Sequence, residues 1–203
     1  MDKIITISRQ YSSGGREIGR ILADEWGIPF YDNELITRAA EDSGYSVDAF
    51  ESAESRAGNS LLYSIARGMV TAGSMTTTFN HLSLDDRLYI AQTDIIKKVA
   101  DEGPCIIVGR CADYILRRRE NLVNIFVNAD MPFRVERAQR IDHMPSAKIE
   151  ENILKMDKRR SNYYNFHTGE KWGRAENYAL CINSSKVGIE KTAMLIKQYV
   201  DSI

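Results

Sequence analysis

"KIITISRQYSSGGREIGRILADEWG" spans residues 3–27, and its reading decides the fold. The opening "KIITI" (3–7) is a short β-branched run of the kind that forms a buried strand. "GREIGRILADEW" (15–26) then sets Ile18, Ile21, Leu22 and Trp26 at helical spacing, with Gly27 as a stop signal. Between them lies a Gly/Ser turn, so the chain begins strand, tight turn, helix.

The same alternation continues outward. "IPFYD" (28–32) reads as a second short strand, and "NELITRAAEDSG" (33–44) as a helix capped by Asp32 or Asn33. "SLDDRLYIAQTDIIKKVADEG" (83–103) is a helix with Ser83 as cap and Leu84, Leu88, Ile95, Ile96 and Val99 on its apolar face. "PCIIVGR" (104–110) and "NLVNIFVNA" (121–129) are apolar on both faces, as inner strands of a parallel sheet are. Helices are expected over "CADYILRRR" (111–119) and the basic "MPFRVERAQRIDHM" (131–144). "YALCINSS" (178–185) is the last strand and "GIEKTAMLIKQYVDS" (188–202) the closing amphipathic helix. Strands alternating with helices predict an α/β three-layer sandwich with right-handed crossovers, built as a single domain over 1–203.

Two regions break the alternation. Residues 45–82 are rich in Ser, Thr, Ala, Gly and Met, and "AGSMTTTFNHLS" (72–83) lacks periodicity, which suggests helices around a loop, a lobe outside the sheet. "SAKIEENILKMDKRRSNYYNFHTG" (146–169) begins as a helix and is expected to become a loop rich in arginine and aromatic residues. "NYYNFHTGEKWG" (162–173) reads either as a lid that lays rings beside a base or as a surface Ω-loop.

Composition narrows the partners. The 203 residues are 43% hydrophobic and 27% charged with a formal net charge of -1, which suits a soluble enzyme and argues against a nucleic-acid or membrane surface. Cys105, Cys111 and Cys181 form no CxxC pair and read as small apolar residues in a reducing compartment. His81, His143 and His167 have no metal-ligand spacing with them. The first apolar run is too short for a leader, and no window approaches the ~20 apolar residues of a membrane span, so the expected location is cytoplasmic.

A Gly/Ser turn between strand and helix is suited to phosphate: glycines let successive N–H groups point inward, and the helix adds its positive end. Ser12, Ser13, Gly14 and Gly15 meet that need. The usual pattern G-x-x-x-x-G-K-[ST] fits in two frames, neither complete. In one, Gly15 and Arg16 take the Gly-Lys positions, Glu17 the hydroxyl position and Gln10 the first glycine; in the other, Arg9 and Gly14 take the glycine positions and Gly15 replaces the lysine. Arg16 is the candidate to restore the lost charge, since guanidinium pairs well with phosphate, while Glu17 would repel it.

"ITISRQYSSGGREIGRILADEWGIPFYDNELI" (5–36), "PCIIVGRCADYIL" (104–116) and "DKRRSNYYNFHTGEKWGRAENYALCINSS" (157–185) together resemble the cytidylate kinase-like family, among the P-loop nucleoside monophosphate kinases. The resemblance implies a parallel core of about five strands, a small acceptor-nucleotide lobe over 33–82 and a lid over about 145–177. It implies ATP with Mg2+ of unassigned ligands, and CMP or dCMP as acceptor. The loop from Arg9 to Glu17 would hold the donor phosphates; Arg110 would touch the acceptor, with Cys111 where the family has an aspartate and Asp113 two residues on. Asp32 and Arg38 are further acceptor-side candidates, and Lys158, Arg159 and Arg160 with Asp157 match the basic lid. Phosphoryl transfer spreads charge over equatorial oxygens, so mobile cations such as these suit it. Arg134, Arg137 and Arg140 read equally well as a solvated face.

The leading expectation is an ATP-dependent phosphotransferase acting on a small, nucleotide acceptor. The missing lysine and Glu17 keep open a non-catalytic nucleotide-binding regulatory module, and Cys111 keeps open a kinase of a non-nucleotide small molecule. Nucleic acid is not an expected partner, because the arginines gather at expected cleft positions rather than along one face. Oligomeric state is not legible.

Overall fold

In a computed structural model the described residues are 2–57, 83–143, 145 and 147–203. Five strands form one sheet: β1 (Ile4–Arg9), β2 (Phe30–Tyr31), β3 (Cys105–Val108), β4 (Leu122–Asn128) and β5 (Leu180–Asn183). Their order is β2-β3-β1-β4-β5, and every pairing is parallel. The first strand read from the sequence is therefore the central one, flanked on both sides, with Ile4, Ile5 and Ile7 fully buried.

Eight α-helices are described: α1 (Gly15–Trp26), α2 (Glu34–Ser43), α3 (Val47–Ala57), α4 (Leu84–Glu102), α5 (Ala112–Ile115), α6 (Met131–Arg140), α7 (Ile149–Thr168) and α8 (Ile189–Asp201). Strand residues alternate between two cores. Ile4, Cys105 and Ile107 pack with α2, α3 and α4, whereas Ile5, Ile7, Ile106 and Val108 pack with α1 and α8. That alternation makes the three layers. α4 starts as its sequence predicts, with the Ser83 hydroxyl accepting the Asp86 N–H at 3.1 Å.

Two expected elements differ. The helix over 111–119 closes after Ile115, because Leu116 turns into the core and Arg119 reaches back to the Ala100 carbonyl. The loop expected over 162–173 is helical as far as Thr168 in one unbroken helix of 20 residues. Its inward seam runs Ile149, Ile153, Met156, Arg160, Tyr163 and His167, a helical period hidden by carrying arginine and aromatic residues where aliphatic ones are looked for. Most of the region read as a lobe outside the sheet, including all of 72–83 but Ser83, lies outside the described residues. Cys105 and Cys111 are buried as expected, but Cys181 is exposed on the edge strand β5. No helix among the described residues is long and apolar enough to cross a membrane.

Candidate functional site

Arg9 ends the central strand, and the chain then turns through Gln10–Gly14 into α1. Ser12 (φ 59) and Gly14 (φ 83) are left-handed, so the turn curls its amides to one side. Helix α1 has no side-chain cap, and among the described residues the N–H groups of Ser12, Gly14, Gly15 and Arg16 find no hydrogen-bond partner. Four inward amides and a helix start make a phosphate cradle. The left-handed φ of Gly14, directly before the first helical residue, selects the second reading of the motif: Gly14 is the glycine that the turn requires, and Gly15 stands where lysine would.

Side chains pin the cradle from behind. The Ser13 hydroxyl bonds the Gln10 and Val127 carbonyls (2.9 and 3.1 Å), and the Ser184 hydroxyl donates to the Ser13 carbonyl at 2.6 Å. Asp157, on α7, accepts the Tyr11 N–H at 2.6 Å and pairs with Arg134, whose Nε donates to the Tyr11 carbonyl at 2.7 Å. Glu17, the anion that would repel phosphate, is paired with Arg137 at 2.6 Å. Arg134 and Arg137 are buried, so they are not a solvated face. Arg140, by contrast, is exposed, so the one-turn spacing of 134, 137 and 140 does not by itself separate the buried arginines from the solvated one.

Two cavities open at the carboxyl ends of the strands, where ligands of parallel sheets bind. The first cavity, about 580 Å3, is lined by the cradle together with Asp32 and Arg137. A second, about 280 Å3, is walled by Gly109, Arg110 and Cys111 after β3, by Met156, Arg159, Tyr163 and Tyr164 on α7, and by Trp172. Arg9, Asn33 and Arg160 line both. Arg160 donates to the Arg9 carbonyl at 3.1 Å, and Arg159, whose buried Nε has no hydrogen-bond partner among the described residues, lines the second cavity.

The wall of the second cavity is strained. Gly109, Arg110 and Cys111 all have positive φ (76, 61 and 56), a conformation that costs about 1–3 kcal/mol for each non-glycine residue. Gln92, buried on α4, holds it by donating to the Arg110 carbonyl (3.3 Å) and the Tyr163 hydroxyl (3.2 Å). Asp113 lies behind this wall rather than in it, accepting a 2.9 Å bond from the Tyr164 hydroxyl, and burial pushes its carboxyl up to about 6 against the lowering effect of that bond. His167 stacks on Tyr89 at 3.9 Å.

The remaining candidates are split. Asp32 is buried in the first cavity, 2.6 Å from Arg16 Nε and 3.7 Å from Arg9 Nη2, so it organises cations and caps no helix. Arg16 is largely exposed. Arg38 pairs with Glu102 at 3.6 Å and, like the exposed Lys158, lines neither cavity. No cluster of His, Cys, Asp and Glu among the described residues has the form of a metal site. The amide cradle fits a triphosphate, while the hydroxyl position that follows the lysine and usually holds Mg2+ is Arg16.

A five-stranded parallel sheet with a phosphate cradle after its central strand defines a P-loop kinase type of fold. The profile of the cytidylate kinase-like family matches residues 4–186, and the chain belongs to that family. A crystal structure of an uncharacterized protein from Eubacterium ventriosum is similar at 26% identity and TM-score 0.74, covering 99% of each chain. Shikimate kinase from Bacteroides thetaiotaomicron is similar at 12% identity and TM-score 0.54, covering 99% of each, and TT1252 from Thermus thermophilus at 15% and 0.54, covering 98% of this chain and 97% of that one. Among curated proteins none matches.

Proposed function

We propose that this protein transfers the γ-phosphoryl group of ATP to a small acceptor in the cytoplasm, foremost a nucleoside monophosphate such as CMP or dCMP. The observation that carries the reading is the pair of cavities sharing Arg9 and Arg160. A phosphoryl group in flight between two substrates must pass cations placed at their junction, because its charge lies on oxygens that point sideways from the line of transfer. The bond from γ-phosphorus to its bridging oxygen breaks as the acceptor oxygen attacks. A phosphate acceptor is largely ionised at neutral pH, so no general base is required of the chain. Mg2+, when bound with ATP, would supply charge neutralisation at the phosphates; its ligands in this chain are unassigned.

On this reading the loop Arg9–Glu17 holds the donor phosphates, with Arg16 at its rim, and Arg159 and Arg160 meet the transferring group with Lys158 beside them. Arg110 faces the acceptor, Asp32 orders the cations, Asp113 sets the wall from behind, and Arg38 reaches the acceptor only through movement of α2. Residues 33–82 form the acceptor lobe and about 145–177 the lid.

Purified protein with ATP, Mg2+ and a panel of monophosphates is expected to yield ADP and a nucleoside diphosphate. No product with any acceptor, together with no ATP binding in calorimetry, removes the reading. A second reading, a kinase of a compact non-nucleotide acceptor, is favoured by Cys111 in place of the family's aspartate; sugar and cofactor acceptors in the same panel test it. Binding of ATP without turnover across the whole panel favours the regulatory module.

A further inference from the structure

The question left by the loop is what stands for its lysine. In the frame that the left-handed Gly14 selects, Arg9 occupies the first position of the motif, ordinarily glycine, and Gly15 the position ordinarily lysine. Cation and glycine have changed places. The geometry shows why the two changes go together: a Cβ on Gly15 would lie 2.6 Å from the Cβ of Arg9 and 3.1 Å from its Cγ, so the chain has room for a side chain at one of these positions only.

The Arg9 side chain is also placed to act. It lies across Gly109, where an added Cβ would collide with its Nη1, and its other end approaches Asp32 Oδ1 at 3.7 Å. From there it lines both cavities. Arg16, the alternative cation, is 63% exposed, pairs with the same Asp32 at 2.6 Å and lines the first cavity but not the second.

Resting on the phosphotransferase reading, we propose that Arg9 performs the task of the absent lysine. Its guanidinium reaches the β- and γ-phosphate oxygens of the donor from the sheet side, and Gly15 and Gly109 are small because Arg9 passes between them. It forms no covalent bond and takes no proton. It stays on the bridging oxygens as the bond to the γ-phosphorus breaks, and holds the ADP that leaves.

The test is a swap. Arg9→Met is expected to lower turnover by about 10²- to 10³-fold, as loss of one charge-stabilising donor does, and to weaken ADP binding measured by calorimetry. Arg9→Gly is expected to do the same. Adding Gly15→Lys to Arg9→Gly recreates the ordinary order of residues and is expected to recover at least about tenfold of the lost turnover, a gain of about 1.4 kcal/mol. A thermal melt within a few degrees of wild type shows each variant folded. Folded Arg9→Met with wild-type turnover and ADP affinity overturns the assignment; so does a folded double variant no better than Arg9→Gly. Wild-type protein that neither binds ATP nor turns over sinks the phosphotransferase reading itself, a result distinguishable from either of these.

Discussion

The two cavities are built on different principles. The donor side is made of backbone: left-handed turns, unpaired amides and a helix start, with carboxylates and arginines fastening it from outside. The acceptor side is made of side chains: aromatic rings from α7, Arg110 and a strained turn after β3. A backbone site recognises what all nucleotides share, their phosphates. A side-chain site recognises what differs between acceptors, and on the proposed reading specificity would rest mainly on the second cavity.

Breaking the fastening of the donor side should have the largest effect. Asp157→Ala leaves Arg134, which is buried, without its partner and frees the Tyr11 amide, and is expected to cost about 3–5 kcal/mol of stability in denaturant unfolding. Arg160→Met removes a cation common to both sides and is expected to lower turnover by about 10³-fold with the fold intact, read by steady-state assay beside circular dichroism.

The acceptor side should differ in its pH response. With the folded-state pKa of Asp113 raised by burial to about 6 from 3.8, the native chain binds more protons than the unfolded one between those values. Stability from this group is therefore full below about pH 4 and declines as pH rises through 6, by at most about 3 kcal/mol. The melting temperature of Asp113→Asn relative to wild type is expected to rise steadily from pH 4 to pH 7; a flat difference would show the carboxyl titrating as an exposed one does. The smallest effect is His167→Leu, which loses a stacked ring pair and should cost about 1 kcal/mol without changing donor affinity.

The same contrast explains what could be read in advance. The cradle was visible because glycines at a strand–helix junction serve few other ends, and the central strand because an apolar run flanked by turns leaves little choice. The fastening was not: Glu17 looked like an obstacle and Arg137 like solvated charge until 120 residues of chain brought them together. The acceptor wall was less legible still. Nothing in "VGRC" (108–111) betrays three left-handed residues in succession, and the seam of α7 ran through arginine and tyrosine, which a search for aliphatic periodicity passes over. Asp113 looked like a contact for the acceptor because it stands two residues beyond Cys111, where the resemblance implies an aspartate, but a four-residue helix turns it inward.

Helix α7, about 30 Å of continuous rod, touches everything: Asp157 grips the turn, Arg160 stands at the junction, and Tyr163 and Tyr164 face the far chamber. A tilt of this helix would therefore move its contacts in both cavities together. On the two-substrate reading proposed above, a helix anchored at each of these points would couple the two cavities, and by thermodynamic reciprocity each ligand would change the other's affinity by the same factor.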